Sequence, residues 1–176
     1  MTIELTAEQE YLFDLQGFVV LENVVEPSGI DAANHQLDQL ETMDPGDYPP
    51  PLQLGTEKAN SEIYSSNILP LFECGPEDGF LAAIPGSHKC NFQRPWSDHP
   101  NDNPTLVLVA ARPDDAIIFT EATTHGSMVN VSGRPRRTLY YCYSINWMPD
   151  GTSHHLSFSD SRKRMLNEEQ KHLVAL

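Results

Sequence analysis

Hydrophobic and polar positions alternate most regularly over residues 136–147. Leu139, Tyr141, Tyr143, Ile145 and Trp147 share one parity, and Arg136, Thr138, Tyr140, Cys142, Ser144 and Asn146 share the other. Successive side chains of a strand point to opposite faces, so this pattern predicts a strand. The face carrying Arg136 is too polar and aromatic for plain core and too mixed for plain solvent, as expected for the wall of a polar cavity. Upstream, Pro113-Asp114-Asp115 marks a turn and residues 116–120 read as a short strand. His125, Gly126 and Ser127 follow it as a polar segment, and Ser132-Gly133-Arg134-Pro135 is the next turn signal. Residues 80–84 and 105–110 read as further strands, with Pro85-Gly86-Ser87-His88 as the turn after the first.

Helical patterns lie towards the ends. Thr6 and Gln9 have the spacing of a capping box, Leu12, Phe13 and Gln16 follow at helical intervals, and Gly17 stops the run before a strand over residues 18–21. Pro27-Ser28-Gly29 leads into a second helix over residues 30–41, with Ile30, Ala33, Leu37 and Leu40 on one face. His35 lies off that stripe and reads as solvated. Residues 44–60 hold five of the chain's prolines or glycines in short order (Pro45, Gly46, Pro49, Pro50, Pro51) and then Gly55, and read as a surface loop. Residues 91–104, with Trp96 and His99, read as another loop. A turn over 150–155 carries His154-His155, whose side chains point oppositely if extended. Residues 159–176 predict one C-terminal helix with Met165, Leu166 and Leu173 available to dock.

The length of 176 residues predicts one domain over residues 1–176. Eleven basic residues against 25 acidic ones give a formal charge of −14, the reverse of what nucleic acid or an anionic membrane surface attracts. No leader pattern and no apolar run of spanning length is present, and Cys74, Cys90 and Cys142 have no paired spacing. A soluble cytoplasmic protein with reduced thiols is therefore expected.

A neutral imidazole is the commonest metal ligand, and the planar fork of arginine suits bidentate capture of a carboxylate. His125 at a strand end and Arg136 at the start of a later strand thus make candidates for a metal-plus-carboxylate site, although each residue taken alone also reads as ordinary loop or surface. The segment D-A-I-I-F-T-E-A-T-T-H-G-S-M-V-N-V-S-G-R-P-R-R, the block G-P-E-D-G-F-L-A-A-I-P-G-S-H-K-C-N-F and the opening L-T-A-E-Q-E-Y-L-F-D-L-Q-G-F-V-V-L-E-N-V-V resemble the phytanoyl-CoA dioxygenase family. The resemblance implies a mainly β fold, a double-stranded β-helix (jelly-roll, cupin-like) core with flanking N- and C-terminal helices. It implies Fe(II)- and 2-oxoglutarate-dependent oxidation of a small organic substrate. It also implies that His125 is the distal iron ligand, that Ser127 contacts 2-oxoglutarate, and that Arg136 holds its distal carboxylate, with Arg134 and Arg137 as alternatives in a shifted register.

One part of that pattern is missing. The family takes two of its three iron ligands from a His-x-Asp pair, yet none of the seven histidines is followed two residues on by Asp or Glu. Residues 61–69 resemble a strand before the missing segment and residues 70–78 a stretch well after it, so an internal deletion is expected near residues 69–70. The core is then incomplete, the oxygenase impaired, and the sheet edges exposed to self-association. Glu73, Asp78, His88 and Glu121 are the nearest substitute ligands, none with favourable spacing. The second expectation is a non-catalytic β-helix domain that binds a carboxylate ligand or a protein partner.

Overall fold

The computed structural model describes residues 4–44, 47, 65–91, 103–143 and 160–173. The chain divides into two compact units, one formed by residues 1–39 and 63–143, the other by residues 40–62 and 144–176. The first unit carries every strand described below.

Helix α1 spans Ala7–Gln16. Thr6 Oγ1 accepts from the Gln9 amide at 3.2 Å while the Gln9 side chain accepts from the Thr6 amide at 2.9 Å, so the capping box closes as its spacing predicts. Gly17 ends the helix at φ +86°, its N–H donating to the Phe13 carbonyl at 2.8 Å. A Cβ there would stand 2.4 Å from Thr123 Oγ1 and 2.5 Å from His88 Nδ1, so glycine is required by conformation and by space. Strand β1, Phe18–Leu21, follows at once, and helix α2 spans Pro27–Glu41. Its Ile30 is buried, whereas His35 is exposed and accepts from Gln39 within the helix, matching its solvated reading.

Strands β2 (Ser65–Pro70), β3 (Leu81–Ala83), β4 (Val107–Leu108), β5 (Ala116–Phe119), β6 (His125–Ser127) and β7 (Thr138–Tyr143) complete two antiparallel sheets. The larger has the order β1-β5-β2-β7 and the smaller β4-β3-β6. Strand β5 sits inside the larger sheet, with Phe18 opposite Phe119 on one side and Ser66 opposite Phe119 on the other. Its residues Ala116, Ile117 and Phe119 are buried, and Ile117 is fully so. Phe18, Phe80, Leu81, Ala83, Val109, Ala111, Ile117 and Phe119 form the core between the sheets. A jelly roll has eight strands in two sheets; the described residues supply seven, in keeping with a jelly-roll core that is not closed.

Strand β2 runs through residues 69 and 70 without interruption, paired with β7 from Ser65↔Tyr143 to Pro70↔Thr138. Leu71 extends the ladder by donating to the Arg137 carbonyl at 3.0 Å. Three expectations differ from what is observed. The strand expected over 105–110 pairs only at Val107–Leu108. His125, Gly126 and Ser127, expected as a polar segment after a strand, are a strand of their own, because their backbone pairs with β3 whatever their weak β propensity. The single C-terminal helix is two, α3 (Asp160–Met165) and α4 (Glu168–Leu173). Asn167 Oδ1 accepts from the Gln170 amide at 2.8 Å and Gln170 Oε1 from the Asn167 amide at 2.9 Å, a second capping box that starts a new helix. Met165 is 76% exposed. Trp96, His99, Trp147, His154 and His155 lie outside the described residues.

Candidate functional site

Strand β6 positions two of the three expected site residues. Ala83 lies opposite His125 and Leu81 opposite Ser127, and residues two apart on a strand share a face. His125 Nδ1 donates to the Thr123 carbonyl at 2.7 Å; a carbonyl can only accept, so this nitrogen carries a proton and Nε2 is the ring nitrogen left to act as a ligand. The ring also meets Phe119 edge-on, with centroids 4.6 Å apart and planes at 61°. Thr123 is itself anchored: it is buried, and its Oγ1 donates to the Gly17 carbonyl at 3.0 Å. The carbonyl that fixes the imidazole is thereby tied to the end of α1.

The three neighbouring arginines have separate partners. Arg134 forks onto Asp78, Nε to Oδ1 at 3.1 Å and Nη2 to Oδ2 at 2.6 Å. Arg137 pairs with Asp38 of α2 at 2.7 Å and lies 5.2 Å from the Phe72 ring centroid. Arg136 donates through Nη1 to the Gly79 carbonyl and through Nη2 to Ser127 Oγ at 3.4 Å. Of the three, Arg136 is the guanidinium beside Ser127, the pair that the resemblance assigns to the cosubstrate.

Arg136, Thr138 and Tyr140 line a small, solvent-open cleft with Pro70, Phe80, Leu81 and Ile117. Those three belong to the parity expected to form a cavity wall. The opposite walls are apolar, so the cleft is less polar than the strand pattern alone implies. Among the described residues that line it, Arg136 is the single charged side chain.

Asp78 is the carboxylate that sequence reasoning undervalued. It is 3% exposed and takes hydrogen bonds from Ser132 Oγ at 2.5 Å and the Gly75 amide at 2.6 Å in addition to the Arg134 fork. The Ser132 hydroxyl first, then the Gly75 amide and the Arg134 charge, hold its carboxyl below the usual value of 3.8. Its commitments leave it a structural carboxylate rather than a substitute metal ligand. The Asp78-Gly79 pair was a visible turn signal, but nothing in the linear pattern names Ser132 and Arg134 as its partners.

His88 sits in a 3-10 turn over Ser87–Lys89, and its Nε2 donates to the Asp14 carbonyl of α1 at 2.9 Å, which agrees with a loop histidine. Glu73 is exposed and Glu121 half-buried. Among the described residues no three His, Cys, Asp or Glu side chains converge as a metal site. Cys74 and Cys90 are free thiols, and burial, aided by Asp78, pushes the Cys74 thiol above its usual range. No helix among the described residues is long and apolar enough to cross a membrane.

Residues 67–138 match the family model of phytanoyl-CoA dioxygenase. This central segment is thus similar to the phytanoyl-CoA dioxygenase family. The dioxygenase cnsJ of Penicillium expansum is 40% identical over 73 residues, which cover 41% of this chain and 21% of that protein. The chain therefore spans about a fifth of the length of that curated relative. Among solved structures, HygX of Streptomyces hygroscopicus with nickel and 2-oxoglutarate bound is similar at a TM-score of 0.62 and 21% identity, covering 78% of this chain and 85% of HygX. EctD of S. alaskensis with 2-oxoglutarate and 5-hydroxyectoine gives a TM-score of 0.60 at 18% identity, over 77% of this chain and 74% of EctD. EvdO2 of Micromonospora carbonacea, complexed with 2-oxoglutarate, gives 0.57 at 16% identity, over 80% of this chain and 90% of EvdO2. These likenesses establish the fold as the jelly-roll kind.

Proposed function

We propose that the chain is an Fe(II)/2-oxoglutarate dioxygenase-like domain that keeps the carboxylate anchor of the cosubstrate and is impaired in the metal. The observation that carries this reading is the approach of Arg136 Nη2 to Ser127 Oγ, 3.4 Å, at the edge of a cleft with apolar walls. A guanidinium with a hydroxyl beside it suits one carboxylate, and four aliphatic or aromatic neighbours suit the short chain behind it.

The donor set fits the two implied groups unequally. Arg136 and Ser127 fit the distal carboxylate of 2-oxoglutarate. Iron does not fit: His125 Nε2 is a suitable donor, but a facial site needs two further ligands, and the described residues bring none beside it. The sequence has no His-x-Asp to supply them. The internal join near residues 69–70 belongs to the same proposal. A single domain over residues 1–176, a small organic substrate and a cytoplasmic setting complete it, the last supported by the free thiols of Cys74 and Cys90.

The second reading is a domain that uses the same anchor to bind a carboxylate ligand without catalysis. It is favoured by the metal-independent contacts of Arg136. Anaerobic titration with Fe(II) and 2-oxoglutarate tests both readings against a working iron site. An impaired or non-catalytic domain gives no saturable metal-to-ligand charge-transfer band, while calorimetry without metal still detects 2-oxoglutarate. A saturable band that His125→Ala abolishes would overturn the impairment and establish a rebuilt iron site.

A further inference from the structure

The guanidinium of Arg136 has two ends with different duties. Nη1 is held by the Gly79 carbonyl, and Nη2 is directed to Ser127 Oγ. Where Nη2 points therefore depends on where the Gly79 carbonyl is held. Gly79 follows directly on Asp78, which is clamped from the other side by Arg134 and Ser132. Arg134 lies just two residues before Arg136, so the clamp fastens both the carbonyl that Arg136 binds and the chain from which Arg136 projects.

The docking of these two segments is close. Asp78 and Asn130 form a β-bridge, Met128 donates to the Phe80 carbonyl at 2.9 Å, and Val131 and Ser132 both donate to the Glu77 carbonyl at 2.8 and 3.1 Å. Gly79 has φ +76°, and a Cβ on it would stand 2.7 Å from the Met128 carbonyl oxygen and 2.9 Å from the Asn130 amide nitrogen. The segment carrying Gly79 is thus seated against the segment that joins Ser127 to Arg136.

We propose that Asp78 is a positioning residue for the carboxylate anchor: through Arg134 and Ser132 it sets the Gly79 carbonyl, and through that carbonyl the direction of Arg136. The inference rests on the reading of Arg136 and Ser127 as a carboxylate site. Asp78 itself touches neither the ligand nor Ser127. Asparagine in its place offers Arg134 one acceptor oxygen and one clashing donor, so the bidentate fork is lost while the size of the side chain is kept.

The test is a double-mutant cycle on the full chain, reading the affinity for sodium 2-oxoglutarate by calorimetry without metal. The four proteins are wild type, Asp78→Asn, Arg136→Lys and the double variant. Lysine keeps the charge and has no second nitrogen for Gly79, so it is insensitive to the direction of that carbonyl. Positioning predicts that Asp78→Asn weakens binding at least about tenfold in the wild-type background and less than about twofold in the Arg136→Lys background, a coupling of the size that contacting networks show. A merely structural role weakens both backgrounds by the same factor, and that result overturns the proposal, as does no loss in Asp78→Asn. If Asp78→Asn fails to fold, Ser132→Ala takes its place in the cycle with the same two outcomes. Wild-type protein that binds no 2-oxoglutarate overturns the carboxylate-site reading and this inference together, whereas binding with additive losses overturns this inference alone.

Discussion

Arg136 Nη2 lies 3.4 Å from Ser127 Oγ, although Ser127 ends a strand of one sheet and Arg136 leads into a strand of the other. Ser127 closes β6 of the three-stranded sheet, and Arg136 stands two residues before β7 of the four-stranded one. The pair therefore bridges the two layers at one end of the core. A ligand held there touches both sheets at once.

Replacing Arg136 should remove carboxylate binding more thoroughly than replacing Ser127. Arg136→Ala deletes the one charge among the described residues lining the cleft, whereas Ser127→Ala deletes a neutral hydroxyl at long hydrogen-bond distance. Hydrogen bonds to charged groups contribute about 1.5–3 kcal/mol and neutral ones about 1 kcal/mol, so losses of roughly tenfold to a hundredfold and of about fivefold are expected. Calorimetric titration with 2-oxoglutarate measures both; equal losses would remove the special place given to Arg136.

Gly17→Ala should destabilise the unit by about 2–4 kcal/mol, since it combines a left-handed backbone position with a side-chain clash. The clash involves Thr123 Oγ1 and His88 Nδ1, and Thr123 also supplies the carbonyl that fixes His125. Urea denaturation followed by circular dichroism gives the stability change. An unchanged midpoint would show that the end of α1 is not the tight junction described above.

Acid should weaken the clamp on Asp78. Its folded-state carboxyl is held below 3.8 by Ser132, Gly75 and Arg134, so the unfolded chain takes up the proton first as pH falls. The stability this carboxylate contributes is fully present above the unfolded value near 4 and is lost as pH falls through the lower folded value. Thermal unfolding of wild type and Asp78→Asn, compared from pH 7 to pH 2.5, should show a gap that narrows at the acid end. A constant gap would separate the role of Asp78 from its charge.

Ile117→Ala should cost about 2–5 kcal/mol, the range for emptying a well-packed aliphatic site. Ile117 is fully buried in the central strand and also lines the cleft, so the variant should enlarge the cleft as well as lower the midpoint of denaturation. A loss under about 1 kcal/mol would mean that the two sheets close over the gap.

Self-association follows from the edge of the larger sheet. Among the described residues β7 pairs on one side only, with β2, and it exposes Tyr140, Tyr141 and Tyr143 at nearly half of their surface. An edge strand with aromatic side chains pairs readily with a second copy. Sedimentation should show a dimer that Tyr141→Lys weakens, and a well-folded monomer at tens of micromolar would count against it.

Local chemistry was legible in the sequence wherever neighbours along the chain make the structure. Thr6, Gln9 and Gly17 delimit α1 because capping groups reach only three or four residues, and residues 18–21 and 116–119 form strands whose β-rich runs announce them. The parity of Arg136, Thr138 and Tyr140 reads directly as one wall of a cleft. The absence of His-x-Asp is likewise a fact of the sequence. Tertiary structure alone decided the rest. It made His-Gly-Ser a strand by pairing it with β3, sorted Arg134, Arg136 and Arg137 among Asp78, Ser127 and Asp38, and made Asp78 a buried anchor. Those outcomes depend on contacts between residues far apart in the chain, Asn34 and Arg137 for example lying 103 positions apart, and such partners are chosen by packing and hydrogen-bond satisfaction rather than by any local pattern.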